Sequence, residues 1–332
     1  MKPSYNNSVP VPSAPPMASV VVVDPLGTYD VQGYQYNENI HFVKTEDTSD
    51  TAEQVRLIKL KNFINEHEIS NDYAIKLRQL EGYDIVLICD DSGSMNTTVT
   101  NPNIKNFMKL QTRWDEMKAI VSVIMEVSII LDDDGIDVYF LNRPPEYNVS
   151  NYEKIEEIFK EKPAGLTPIV NVFNRVLQEK ATSLAEKKLL IILATDGEPT
   201  NDVGKLEDNN GVKEKQKLYN LLKFQRNPPN KIHTTILACT DDDSTMEYLD
   251  EWDKTLHNFD LVDDFWSEKK RIKEAQESQG KSHSFSHGDY IVKILLGSID
   301  RTLGSMDGSS ADVSSIYIQP QTKHVQSICV IS

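Results

Sequence analysis

A chain of 332 residues, 39% hydrophobic and 26% charged, has the size and balance of one large globular domain with extensions or of two modest ones. That balance excludes fibrous and membrane-embedded polymers. Its 51 acidic residues outnumber 35 basic ones, for a formal charge of -16, which argues against a broad phosphate-gripping surface and against nucleic acid as a partner.

Cys89, Cys239 and Cys329 are too few and too scattered for a disulfide framework or a thiolate zinc site, and they suit a reducing compartment. No stretch approaches the ~20 apolar residues of a spanning helix. The start of the chain lacks the apolar core of a signal peptide. The expectation is a cytoplasmic protein with no membrane contact, in which the Asn-x-Ser/Thr patterns at Asn6, Asn96 and Asn148 are chance matches.

In chain order, residues 1–50 read as a disordered or irregular arm, with Pro3, Pro10, Pro12, Pro15 and Pro16 among Ser and Asn and with short apolar pieces later. Residues 51–81 read as a helical appendage that breaks near His67 to Ser70. Its first part would bury Val55, Ile58 and Phe63, and its second Ala74, Leu77 and Leu80. The main body, 82–265, alternates strand and helix. YDIVLIC at Tyr83–Cys89 is a short apolar run closed by turn chemistry, as in a strand covered on both faces. Trp114, Met117, Ile120, Val121, Ile124, Val127 and Leu131 form the stripe of a long helix.

Further strands are predicted at IDVYFL, KLLIILAT (Lys188–Thr195), KIHTTILAC and FDLVD, with helices near 150–159, 168–180, up to Phe224, and from Ser244. Helices near 266–278 and 287–299, within a segment 266–303, are expected to pack on this body. Residues 304–332 form an irregular tail with SSIYIQP as a candidate edge strand. Ser244 with Glu247 and Ser286 with Asp289 have capping-box spacing. The pattern predicts an α/β, doubly wound, mostly parallel central sheet with helices on both faces.

The sharpest motif is DDSGSM, Asp90–Met95, directly after the first buried strand. Asp90, Ser92 and Ser94 alternate along a loop, so one turn can aim a carboxylate and two hydroxyls at a common point while Gly93 lets the backbone curl. Such hard oxygens suit Mg²⁺, which takes six at about 2.1 Å and keeps some waters; Mn²⁺ fits as well. GLTP presents Thr167 ahead of a helix, and ATDGEPT puts Asp196 at the carboxyl end of the strong strand. In an open parallel sheet those ends face one crevice, so five oxygen side chains from three loops are expected to converge.

DxSxS, then the isolated Thr167, then the TDG aspartate, closely resembles the metal ion-dependent adhesion site of von Willebrand factor type A domains. TRWDEMK at Thr112–Lys118 and GDYIVKILLGSID at Gly288–Asp300 look like an intracellular eukaryotic branch of such proteins. The resemblance implies Ser92 and Ser94 as direct ligands and Thr167 as a direct or water-mediated one. It implies Asp90 and Asp196 as water-bridged carboxylates, and a partner protein whose Glu or Asp completes the ion's shell. The segments 96–111 and 201–213 depart from the adhesion-receptor pattern. The chemistry favours capture over turnover, so the chain is read as a binding module and not an enzyme.

The alternatives are an assembly subunit whose metal site is satisfied internally, and a divalent-dependent phosphatase or hydrolase. The latter finds a serine where DxDx(T/V) has its second acid, and no lysine beside Asp196. Asp91 is expected to cap a loop or face solvent, and Met95 and Trp114 to pack beside the site.

Overall fold

A computed structural model describes residues 50–99, 111–132, 134–201, 212–240, 243–278, 280, 284–304 and 306. The N-terminal arm, the tail beyond Met306 with SSIYIQP, and most of both unusual segments (100–110 and 202–211) lie outside the described residues, as does the Ser244 side chain. The chain divides into Met1–Val55 and Arg56–Ser332, and the sheet with both of its cores belongs to the second unit.

The elements are α1 (Asp50–Glu66), α2 (Asn71–Ala74), β1 (Tyr83–Cys89), α3 (Arg113–Leu131), β2 (Ile136–Phe140), β3 (Glu146–Val149), α4 (Tyr152–Ile158), α5 (Ile169–Glu179), β4 (Lys188–Thr195), α6 (Val212–Asn220), β5 (Ile232–Ala238), α7 (Asp243–Thr255), β6 (Phe259–Val262), α8 (Phe265–Ser278), α9 (His287–Leu296) and α10 (Arg301–Gly304). Six strands form one sheet in the order β3-β2-β1-β4-β5-β6. Every pairing is parallel except β2 with β3.

Side chains alternate across the strands, so β1 feeds two cores. Ile85, Leu87 and Cys89 join α3 and α9 on one face, while Val86 and Ile88 join α5, α6 and α7 on the other. The stripe of α3 is buried as its spacing predicts, from Trp114 through Val127. Its start is fixed by a capping box in which the Thr112 hydroxyl accepts from Asp115 N–H and the Asp115 carboxylate accepts from Thr112 N–H. Gly135 turns the chain into β2 at φ +76°, where a Cβ would stand 2.7 Å from the Val149 carbonyl oxygen.

Two local expectations fail. Phe63 of α1 is buried as expected, but Val55 and Ile58 are exposed and Leu60 is buried in their place. The edge strand β3 has no apolar run to announce it.

The first helices are tied to α9 by one carboxylate. Asp289 Oδ1 accepts from Ser70 N–H at 2.7 Å and Oδ2 from Ser286 N–H at 3.1 Å, while the Ser286 hydroxyl accepts from Asp289 N–H at 2.9 Å. Burial works against ionising Asp300, but hydrogen bonds from Lys76, Thr302 and Gln79 hold it below the usual carboxylate range. Beneath α9, Lys293 Nζ lies 2.7 Å from Glu268 Oε1, and neither side chain is exposed to solvent.

Replacing Lys293 alone leaves Glu268 as a buried charge without its cation, so Lys293→Met should cost about 3–5 kcal/mol in denaturant unfolding. The double change with Glu268→Leu should recover most of that loss.

His233 supplies a pH handle. Its Nδ1 meets the Ser298 carbonyl at 2.9 Å and its Nε2 the Tyr83 hydroxyl at 3.2 Å, an arrangement that suits the neutral ring. Burial lowers its pKa below the ordinary 6.5, with Lys188 and Arg226 pushing the same way and the Ser298 carbonyl opposing. A base depressed in the folded state binds its proton first in the unfolded chain, so its contribution is lost as pH falls through the unfolded value toward the folded one. Melting curves between about pH 7 and pH 5 should therefore fall less steeply for His233→Gln than for the natural chain.

Candidate metal centre

β1 and β4 lie side by side in register, Cys89 opposite Ala194, and the order of strands reverses between them. Both strands end at one level. Asp90 N–H extends the ladder by donating to the Ala194 carbonyl at 2.9 Å. Asp90 then receives Ser92 N–H on Oδ1 at 2.8 Å and the Thr195 hydroxyl on Oδ2 at 2.6 Å, so both of its oxygens are engaged.

The two serine hydroxyls stand 2.9 Å apart, and Ser94 Oγ donates to Asp196 Oδ1 at 2.7 Å. Each hydroxyl has one proton. Because Ser94 gives its proton to Asp196, Ser92 must be the donor to Ser94. The chain of donation runs Ser92 to Ser94 to Asp196. Ser92 is buried while Ser94 is exposed, so the group opens to solvent on that side. The spacing of the hydroxyls matches the edge of an octahedron with ~2.1 Å bonds, which is about 3.0 Å.

Thr167 enters from the loop before α5. Gly93 N–H donates to the Gly165 carbonyl at 3.3 Å, and Asn96 Nδ2 donates to the Pro163 carbonyl at 2.7 Å. Thr167 N–H donates to the Thr200 hydroxyl at 3.0 Å and its carbonyl accepts from Thr200 N–H at 2.9 Å. Its loop is thus stitched to the loops after β1 and β4. Asp90, Ser92, Ser94 and Asp196 are joined by their own side chains, whereas Thr167 is held by backbone.

Burial raises Asp90 to about 6, against the hydrogen bonds from Thr195 and Ser92 and with the Asp196 charge adding to the rise. Burial also pushes both neighbouring thiols, Cys89 and Cys239, well up. They are inert apolar groups here.

Three residues outside the expected set complete the surroundings. Arg113, the first residue of α3, donates from Nη1 to Asp196 Oδ2 at 2.8 Å and from Nη2 to the Thr240 hydroxyl at 2.8 Å. Asn142 and Arg143, just past β2, both serve Asp91. Asp91 Oδ1 accepts from Asn142 N–H and Nδ2 at 2.8 and 3.0 Å, and Oδ2 accepts from Arg143 Nε at 2.9 Å. Asp91 is therefore a buried loop cap that points away from Asp90's partners. The signal for Asn142 and Arg143 was their position at a strand's carboxyl end, shared with Asp90 and Asp196.

Met95 is fully buried, and Trp114 packs on Phe159 with its indole N–H donating to the Phe159 carbonyl at 3.1 Å. Among the described residues no group of three or more His, Cys, Asp or Glu is placed to hold a metal ion. The cluster joined by hydrogen bonds consists of the carboxylates of Asp90 and Asp196 and the hydroxyls of Ser92, Ser94 and Thr195, while Thr167 meets its neighbours through its backbone.

Asn142 also clamps the Thr167 loop by donating to the Leu166 carbonyl and accepting from Leu166 N–H, at 2.8 and 3.1 Å. Gly165 makes that approach feasible. It sits at φ +124°, and a Cβ there would be 2.4 Å from Asn142 Oδ1. Gly165→Ala should cost about 1–3 kcal/mol. Hydrogen exchange should quicken at the Gly93, Leu166 and Thr167 amides and stay unchanged in β1 and β4.

No protein-family model matches this chain, and no curated protein does.

Proposed function

We propose that this chain is a von Willebrand factor type A-like binding module. In this reading the crevice at the ends of β1 and β4 holds Mg²⁺, with Mn²⁺ able to replace it, and grips a Glu or Asp of a partner protein. The observation that carries the reading is the hydroxyl pair. Ser92 and Ser94 are separated by 2.9 Å, close to an octahedral edge, and Ser94 can keep its donation to Asp196 while its lone pairs face an ion.

Asp90 and Asp196 fit a role at one remove. Each already accepts on both oxygens, from Ser92 N–H and Thr195 in one case and from Ser94 and Arg113 in the other. They orient the hydroxyls and supply negative charge without filling the inner shell. When bound, the ion supplies an electrophilic position for an outside carboxylate oxygen. Exposed Ser94 and Leu166 border the approach. A cytoplasmic setting fits the free thiols of Cys89 and Cys239.

A second reading, an assembly subunit whose site is satisfied internally, draws on Arg113, which already gives Asp196 a cation. Phosphoryl transfer draws less support. Arg113 does provide a basic group beside Asp196, yet a nucleophilic Asp90 would have to free the oxygen that now accepts from Ser92 N–H or from the Thr195 hydroxyl.

Calorimetric titration with Mg²⁺ separates these readings. The natural chain should take up one ion, and Ser92→Ala with Ser94→Ala should weaken uptake by about 100-fold or more. Recovery of a protein partner should depend on Mg²⁺ and disappear with chelator or with the double variant. Unchanged recovery overturns metal-dependent capture.

A further inference from the structure

We propose that Arg113 is the resident counter-cation of this centre: it holds Asp196 when no ion is bound, and it gives the loaded centre the surplus positive charge that an incoming carboxylate answers. This inference rests on the metal-binding reading and adds the residue that sets the demand for an acidic ligand.

Arg113 is positioned by three constraints. It is the first helical residue of α3, directly after the Thr112 cap. Its backbone N–H donates to the Thr97 carbonyl at 3.0 Å, which sews the helix start to the loop that carries Ser92 and Ser94. Its guanidinium then forks, with Nη1 on Asp196 after β4 and Nη2 on Thr240 after β5. The side chain thus spans the ends of β4 and β5, while the backbone N–H ties the residue to the loop after β1. The pair is shielded, with the Arg113 side chain 14% exposed and that of Asp196 not exposed at all.

A cation at the first turn of a helix is opposed by the helix dipole, which favours acids there. Asp196 compensates for that, and an ion near Asp196 competes with it. Charge counting shows the consequence. Asp90 and Asp196 contribute two negative charges when ionised and Arg113 one positive, so a dication turns a net of minus one into plus one. Without Arg113 the same loading ends at zero. A neutral, shielded centre has little call for another anion, whereas one with a surplus positive charge favours a carboxylate. Arg113 should therefore weaken the bare ion's binding and strengthen the ligand's, which is a coupling between the two.

The test uses the full chain, Mn²⁺ alone as the ion, and acetate as the carboxylate probe. Mn²⁺ affinity is read by electron paramagnetic resonance, and acetate contact by the paramagnetic relaxation of its methyl protons. In Arg113→Gln, Mn²⁺ should bind at least tenfold tighter, and acetate relaxation at saturating Mn²⁺ should drop severalfold. Arg113→Lys keeps the charge and loses the fork; both readouts should stay within about threefold of the natural chain. This variant also serves if Arg113→Gln does not fold.

If Lys behaves like Gln, the fork and not the charge matters, and the proposal is overturned. The same follows if Mn²⁺ affinity is unchanged in Arg113→Gln while the natural chain binds the ion, and the metal reading then survives. A natural chain that takes up no Mn²⁺ overturns the metal reading itself.

Discussion

The register between β1 and β4 governs the geometry at the carboxyl end of the sheet. Cys89 stands opposite Ala194, so two parallel strands stop together, and the chain leaves them toward opposite edges of the sheet. Crossovers that diverge leave a crevice where they part. The register therefore sets Asp90 beside Thr195, whose hydroxyl it accepts, and Asp196 one residue further on, where Ser94 of the β1 loop reaches it. The register is in turn fixed by burial. Sliding β1 by one residue would exchange Ile85, Leu87 and Cys89 with Val86 and Ile88 between two filled cores. Packing at the middle of the sheet thus sets distances between polar groups at its end.

That dependence explains which parts were legible from sequence. β1 and β4 could be read to the residue because a strand buried on both faces is a continuous apolar run, and turn chemistry closes it on the carboxyl side. Asp90, Ser92, Ser94 and Asp196 followed, being fixed relative to those strands. β3 was not legible, since Glu146–Val149 is half-exposed and is defined by pairing with β2 rather than by its own composition. In α1 Phe63 was legible but its neighbours were not: Leu60, Phe63, Ile64 and His67 lie at i, i+3, i+4 and i+7, and tertiary packing chose that stripe over Val55 and Ile58. Arg113 was not legible because its partner Asp196 lies 83 residues further along the chain. A local sign existed in a cation placed where the helix dipole prefers an acid.

In a chain of net charge -16, several cations are spent on single buried carboxylates. Arg143 on Asp91, Arg113 on Asp196 and Lys293 on Glu268 are built alike in charge and differ in surroundings. Arg143 lies over the Phe140 and Trp114 rings at 4.2 and 5.2 Å and also donates to the Ile158 carbonyl. Lys293 has no exposed surface at all. Arg113 touches polar partners on loops at the rim. Its carboxylate partner Asp196 also receives a hydroxyl proton, from Ser94.

Under the proposed metal reading, hydroxyl ligands would make re-balancing by an ion possible. A cage of carboxylates would carry a large negative charge when empty and would be neutralised when full, leaving no reason to take an external acid. Serine oxygens are neutral, so an empty centre costs little to keep folded. The row from Ser92 to Ser94 to Asp196 satisfies them with a single direction of proton donation. In the proposed reading, an ion would take lone pairs from the two serines in place of the bond between them, and the bond from Ser94 to Asp196 could persist. Loading would then exchange one neutral hydrogen bond for two ion contacts and keep the link between the loops of β1 and β4. The strands need not move, and the Thr167 loop, tied by backbone to both, is the element left to respond.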